Sequence, residues 1–206
     1  LAAIRELVSN YSIDGFQLDY IRYAGNEWCF CPHCRESFEG LIGEKMTDWP
    51  SCVIKSGKYA ARYADWRRNV ITSFVLTVRE MMHNVRPACK LSAAVFAVPN
   101  ACRDSVFQDW GRWIQEGLVD FVCPMNYTGD LSEMRSKMKA ELAAAGGKVP
   151  VYAGLMASLG AGQDQVLPDR GLHGVPGIVE GPESDRCRWR RLRPGDPARR
   201  RDEEDD

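Results

Sequence analysis

Apolar positions recur along the chain in two alternating rhythms, and the alternation itself predicts the architecture. Ile4, Leu7 and Val8 share one helical face, so Leu1–Tyr11 is predicted as an amphipathic helix. Ile13, Phe16, Leu18 and Ile21 then supply β-forming surface and predict a strand over Ile13–Tyr20, entered through the tight pair Asp14-Gly15. Arg22 to about Gly57 shows no sustained period and is read as a loop, of a length that is usually functional. Trp66, Val70, Phe74, Val78, Met81, Met82 and Val85 keep helical spacing over Tyr59–Val85, and Arg86-Pro87 stops that helix. A second buried strand follows over Leu91–Val98, a turn at Pro99-Asn100, and a short helix around Asp109–Glu116 that ends on Gly117. Val119–Pro124 is a third strand, Leu131–Ala145 a helix closing on Gly146-Gly147, and Val149–Leu155 a fourth strand. Helices that alternate with short apolar strands imply parallel strands joined by crossover helices, an α/β fold built as a barrel or as an open doubly wound sheet.

After about Gly160 the periodicity fails. Residues 1–160 are therefore expected to form the folded domain, and 161–206 an irregular or disordered tail. The tail ends in Arg199-Arg200-Arg201 followed by five acidic residues, so its charges cancel and a nucleic-acid arm is disfavoured. Because the next helix and strand are missing there, a reading-frame or gene-model origin is the other expectation. The formal net charge of -1 over 206 residues also argues against a distributed nucleic-acid surface. The apolar runs are too short for a membrane span. Leu1 falls inside a helical pattern without an initiator methionine, so an upstream segment is expected, and the first residues leave the compartment open. Eight cysteines do not settle the redox compartment, since only three of them cluster and Cys123 reads as a small buried hydrophobe.

Two patterns carry chemistry. Gln17 and Asp19 alternate onto one face of the first strand, and in a parallel barrel an inward residue at a strand's carboxyl end projects into the active-site mouth. Asp19 is thus a candidate catalyst, with a structural pairing to Arg22 as the competing role. The second pattern is Cys29-Phe30-Cys31-Pro32-His33-Cys34. Three thiols at this spacing suit a soft metal, and Cys29, Cys31 and Cys34 are read as ligands of a structural zinc, with Cys52, His33 or an upstream residue left open as the fourth. A redox role for Cys31 and Cys34 competes less well, because that chemistry expects a helix N-terminus just after a thioredoxin-type strand.

Asp14-Gly15-Phe16-Gln17-Leu18-Asp19-Tyr20-Ile21-Arg22-Tyr23, the Cys-rich loop, Asp109-Trp110 and Phe121-Val122-Cys123-Pro124-Met125-Asn126-Tyr127-Thr128 together resemble the family 10 glycosyl-hydrolase-like proteins over roughly Leu1–Leu159. The resemblance implies part of a TIM-type (β/α) barrel, with the visible strands about its fourth to seventh. It also implies an activity on polysaccharide, cell-wall glycan in bacterial members, and an extracytoplasmic location. Asp19 further looks like the strand-borne nucleophile of the α-amylase clan.

Glycosidic hydrolysis normally uses two carboxyl groups. Asp19 is one candidate; Asp104 and Asp109 follow the second strand as candidates for the other, although capping its helix is the commoner role for an Asp where Asp109 stands, and the strands expected upstream of Leu1 are equally open as the source of the partner. Arg22 is positioned to hold Asp19 ionised. Gln17, Tyr20, Tyr23, Trp110, Asn126 and Tyr127 are the candidate sugar contacts, with a core role for Trp110 and Tyr127 as the alternative. No organic cofactor is implied. The competing functions are a carbohydrate-binding or scaffold module without catalysis, and a zinc-dependent interaction module centred on the Cys loop.

Overall fold

The computed structural model describes residues 1–54 and 56–155. In chain order the elements are α1 (Ala2–Asn10), β1 (Gly15–Leu18), α2 (Pro32–Ile42), a 3-10 turn (Ser51–Val53), α3 (Ala60–Val85), β2 (Lys90–Phe96), α4 (Pro99–Ser105), α5 (Trp110–Gln115), β3 (Phe121–Met125) and α6 (Leu131–Ala145). The strands form one parallel sheet in the order β1-β2-β3, with Gln17 opposite Ser92 and Ser92 opposite Phe121. The expected fourth strand is present as two parallel bridges, Val122 to Val151 and Met125 to Gly154, on the free side of β3. A small parallel sheet with helices between its strands is the architecture of an incomplete (β/α) barrel.

Strand alternation divides the sheet into two unlike faces. Leu18, Leu91, Ala93, Val95 and Val122 point to the helical layer and join Val75, Val78, Met82, Trp110 and Trp113 in the main core. Gln17, Ala94, Phe96, Phe121, Cys123 and Met125 belong to the other parity, and on that face Phe121 meets Tyr152 edge-on at 5.2 Å. Helix α3 buries Tyr63, Arg67, Ile71, Val75, Val78 and Met82. This stripe is displaced from the one expected, and Val70 lies exposed.

Two segments depart from the sequence expectation. The 22–57 connection is not an uninterrupted loop: it carries α2 and the 3-10 turn, and Phe38, Met46 and Val53 pack with Tyr59 and Tyr63 in a small core of their own. Glu39 seals it from inside. It accepts from the Met46 amide at 2.9 Å and pairs with Arg35 and Lys45; the Met46 amide first, then the two cations, hold its carboxyl down at about 2. The second departure is α4, which begins at Pro99 where a turn was expected; proline suits the first turn of a helix, whose amide has no partner to lose. The expected tail over 161–206, with its frame or gene-model origin, lies outside the described residues. No described helix is long and apolar enough to cross a membrane.

Candidate functional site

Among the described residues Asp19 is the one acid that directly follows a strand of the sheet; β2 leads into Ala97-Val98 and β3 into Asn126-Tyr127. It is exposed, and its Oδ1 accepts from the Tyr20 amide at 2.8 Å. Tyr20 holds φ at 54°, a left-handed conformation that non-glycine residues enter at a cost of about 1 kcal/mol, and its ring is 77 % exposed. Strain of that kind next to a carboxylate is a recurrent mark of functional sites. Arg22 does not pair with Asp19. Its guanidinium lies 4.6 Å from the Phe96 ring centre and 5.0 Å from that of Tyr20, and Nη1 donates to Tyr23 O at 3.3 Å. The stacking fixes Arg22 across the exits of β1 and β2, an arrangement that a flat delocalised cation favours. Gln17, exposed one step back along the same face, accepts from Ser92 Oγ at 3.4 Å.

The remaining candidates divide by strand parity and burial. Tyr127 is exposed beyond β3. Asn126 has the opposite parity to Met125 and is wholly buried toward α6, where Nδ2 donates to Glu141 Oε2 at 3.1 Å. Trp110 is fully buried, its indole N–H donating to Phe96 O at 3.1 Å. Tyr23 forms a wall: it packs edge-on against Phe107 at 5.5 Å, and burial pushes its hydroxyl up to about 12. Asp109 stands at the start of α5 without capping it, 3.5 Å from Arg103 Nε.

Two further residues shape this end of the sheet. Buried Gln108 accepts from the Phe96 amide at 2.8 Å and donates to Ile21 O and Ala94 O, tying the exit of β1 to the end of β2. Lys137 joins Phe96, Val98, Cys102 and Met125 around a cleft of about 410 Å³ beside the ends of β2 and β3. A glutamine after a phenylalanine and a lysine in a polar helix carry no sequence signal of these roles; only the fold brings them here.

The sulfurs of Cys29, Cys31 and Cys34 lie within 4.8 Å of one another, close enough to chelate one metal ion. Thiolates held tetrahedrally at about 2.3 Å from zinc stand about 3.8 Å apart, so the donor set and its spacing fit that ion. Local structure explains the convergence. Cys31 is the residue before α2, Pro32 opens the helix, and the Cys34 amide points back to the Cys31 sulfur and, with the neighbouring thiols, lowers that thiol's pKa. Burial pushes the Cys34 thiol the other way, to about 12. Cys52 is not in the cluster; its thiol faces Met46 Sδ at 3.5 Å. His33 is exposed and also outside it. Helix α3 holds the loop: Tyr63 Oη donates to Cys29 O at 2.5 Å, and Arg67 Nη1 donates to Asn26 O at 3.0 Å and Trp28 O at 2.6 Å.

Comparison with known proteins adds three findings. Residues 1–163 match the sequence family described as "Glycosyl hydrolase-like 10". The chain is similar to the "Glycosyl hydrolase DigH" of Escherichia coli K12, with 23 % identity over 138 residues that cover 60 % of this chain and 28 % of that protein. It is also similar to an "S-layer-related protein" of Niallia circulans, with 27 % identity over 123 residues that cover 55 % of this chain and 8 % of that protein. The chain thus spans less than a third of the length of the curated relatives it matches.

Proposed function

Because the chain belongs to the glycosyl hydrolase-like 10 family, we propose that it forms part of a glycoside hydrolase acting on a polysaccharide, with Asp19 as one of the two reacting carboxyl groups. The observation that carries this reading is the placement of Asp19: exposed, at the carboxyl end of β1, on the sheet face opposite the described helices, and next to a strained exposed tyrosine. In a parallel barrel that position is the active-site mouth. The described strands serve as about the fourth to seventh of the barrel, and residues 1–160 as the segment belonging to it.

The chemistry follows from the charges. An ionised Asp19 acts as nucleophile or base at the anomeric carbon, while a second carboxyl group protonates the leaving oxygen. Neither β2 nor β3 ends in an acid, so the account assigns that group to another part of the barrel. Gln17, Tyr20 and Tyr127 are the polar and aromatic surface offered to sugar hydroxyls and C–H faces, with the Arg22 guanidinium 5.0 Å from the Tyr20 ring centre and 4.6 Å from that of Phe96. The hydrolase name of the Escherichia coli relative supports the reaction class, and the surface-layer name of the Niallia relative agrees with a cell-envelope glycan and an extracytoplasmic site of action. The Cys cluster holds a structural zinc that stiffens the insertion beside the mouth; three thiolate ligands leave little Lewis acidity for catalysis.

A second reading, a carbohydrate-binding module without turnover, is favoured by one observation: Asn126 and Trp110 both face inward, so fewer groups line the mouth than the motif suggests. Substituting Asp19→Asn separates the two. A hydrolase loses turnover and keeps glycan affinity, whereas a binding module shows no turnover in either form.

A further inference from the structure

Helix α3 carries one buried charge where the 22–57 connection packs against it. Arg67, in the second turn of α3, is 4 % exposed and has no carboxylate at ion-pair distance among the described residues. Asp104 lies in the same groove, but it is engaged by Arg68 at 3.4 Å and Arg103 at 3.2 Å. Isolating a guanidinium from water in this way is costly unless an opposite charge answers it. Part of the answer is aromatic: the Arg67 carbon lies 3.7 Å from the ring centre of Phe107, 4.7 Å from that of Tyr63, and under 6 Å from those of Phe30 and Tyr23. Part is the pair of carbonyls at Asn26 and Trp28, yet Nε still has no partner.

Trp28 directly precedes the first thiol of the cluster and Asn26 lies three residues before it, while Tyr63, one turn earlier on α3, donates to the carbonyl of Cys29 itself. Three thiolates around Zn²⁺ carry a net charge of minus one, the metal having displaced three thiol protons. One guanidinium cancels that charge.

We propose that Arg67 is the built-in counter-charge of a three-thiolate zinc site, so that metal loading fastens the 22–57 insertion onto α3. The proposal rests on the structural-zinc reading of Cys29, Cys31 and Cys34. It makes Arg67 a positioning residue, behind the ligands and outside the reaction, and it explains a buried cation that no carboxylate among the described residues pairs with.

The test is zinc affinity measured by competition with a chromophoric chelator in the wild type, Arg67→Gln and Arg67→Lys, with Co²⁺ substitution to report the ligand set. Gln keeps a donor for the loop carbonyls without the charge; Lys keeps the charge. The expected result is one zinc per chain, affinity lowered about 10–100-fold in Arg67→Gln, the range typical when a group supporting metal ligands is removed, retention within about threefold in Arg67→Lys, and an unchanged cobalt–thiolate spectrum. Equal affinity in wild type and Arg67→Gln, or equal losses in Gln and Lys, would overturn the counter-charge. Absence of zinc binding in the wild type would instead overturn the metal reading beneath it. Should Arg67→Gln fail to fold, the Arg67 side-chain NMR signal in the wild type decides: it shifts and its N–H protons exchange more slowly on zinc loading if the proposal holds, and stays unchanged if it does not.

Discussion

The buried pair of Glu141 and Asn126 gives the protein a pH dependence that one substitution erases. Asn126 Nδ2 donates to Glu141 Oε2, and the other two oxygens, Asn126 Oδ1 and Glu141 Oε1, are buried without a partner among the described residues. A proton on Glu141 supplies a donor that these two acceptor oxygens otherwise lack; an ionised carboxylate supplies none. Burial pushes this carboxyl from its ordinary 4.5 up to about 7, against the opposing pull of the Asn126 amide and Lys137. Between those values the folded protein keeps a proton that the unfolded chain has released, so stability falls as pH rises from about 4.5 and levels off above about 7. At about 1.4 kcal/mol per pH unit the loss amounts to about 3 kcal/mol. Glu141→Gln keeps an acceptor oxygen for Asn126 Nδ2, offers a neutral N–H donor in place of the acid proton, and has nothing to titrate. Urea unfolding of both proteins from about pH 5 to about pH 9 reads the difference. The wild type should lose about 3 kcal/mol relative to Glu141→Gln across that range; parallel stability curves would refute the protonated pair.

Three further outcomes follow from the same geometry. Gly57 approaches the carbonyls of Ser51 and Cys52 so closely that an added Cβ would overlap them, so Gly57→Ala should cost about 1–3 kcal/mol in thermal unfolding and loosen the insertion in hydrogen exchange; full stability would contradict this packing. Gln108→Leu leaves the Phe96 amide without its acceptor and should destabilise by about 2–4 kcal/mol, with exchange accelerated first at the ends of β1 and β2. Cys34→Ser, or chelation of the wild type, should abolish stoichiometric zinc and lower the melting temperature while α3 and the sheet keep their circular dichroism; an unaffected melting temperature would exclude a structural metal.

Much of the fold was legible because it is written in local periodicity. Leu131–Ala145 is predicted and observed with the same bounds, since Asp130 caps it through Ser132 and Glu133 and Gly146 ends it at φ 57°. The Cys cluster was equally legible, its three thiols falling within six residues. The α2 helix was harder to see, because its apolar positions are few among Arg35, Glu36 and Glu39, although Pro32 at its start and Gly43 at φ 72° are its ordinary punctuation. Site residues were misplaced where side-chain direction decided. Counting parity from Val122 sends Asn126 to the helical side, and Trp110 follows Asp109 into the core because its indole finds Phe96 O there. Arg67 and Tyr63 carried no signal at all: their partners lie 34 to 41 residues away, and only the docking of the insertion on α3 reveals them.

The central claim is that Asp19 performs carboxylate chemistry on a glycan. Its most direct test is turnover of peptidoglycan strands and other bacterial polysaccharides by the full-length gene product, wild type beside Asp19→Asn, with glycan affinity measured on both. The account predicts cleavage by the wild type, a loss of several orders of magnitude in the variant, and retained affinity. Cleavage undiminished by Asp19→Asn, or glycan bound by the wild type without cleavage, would contradict it.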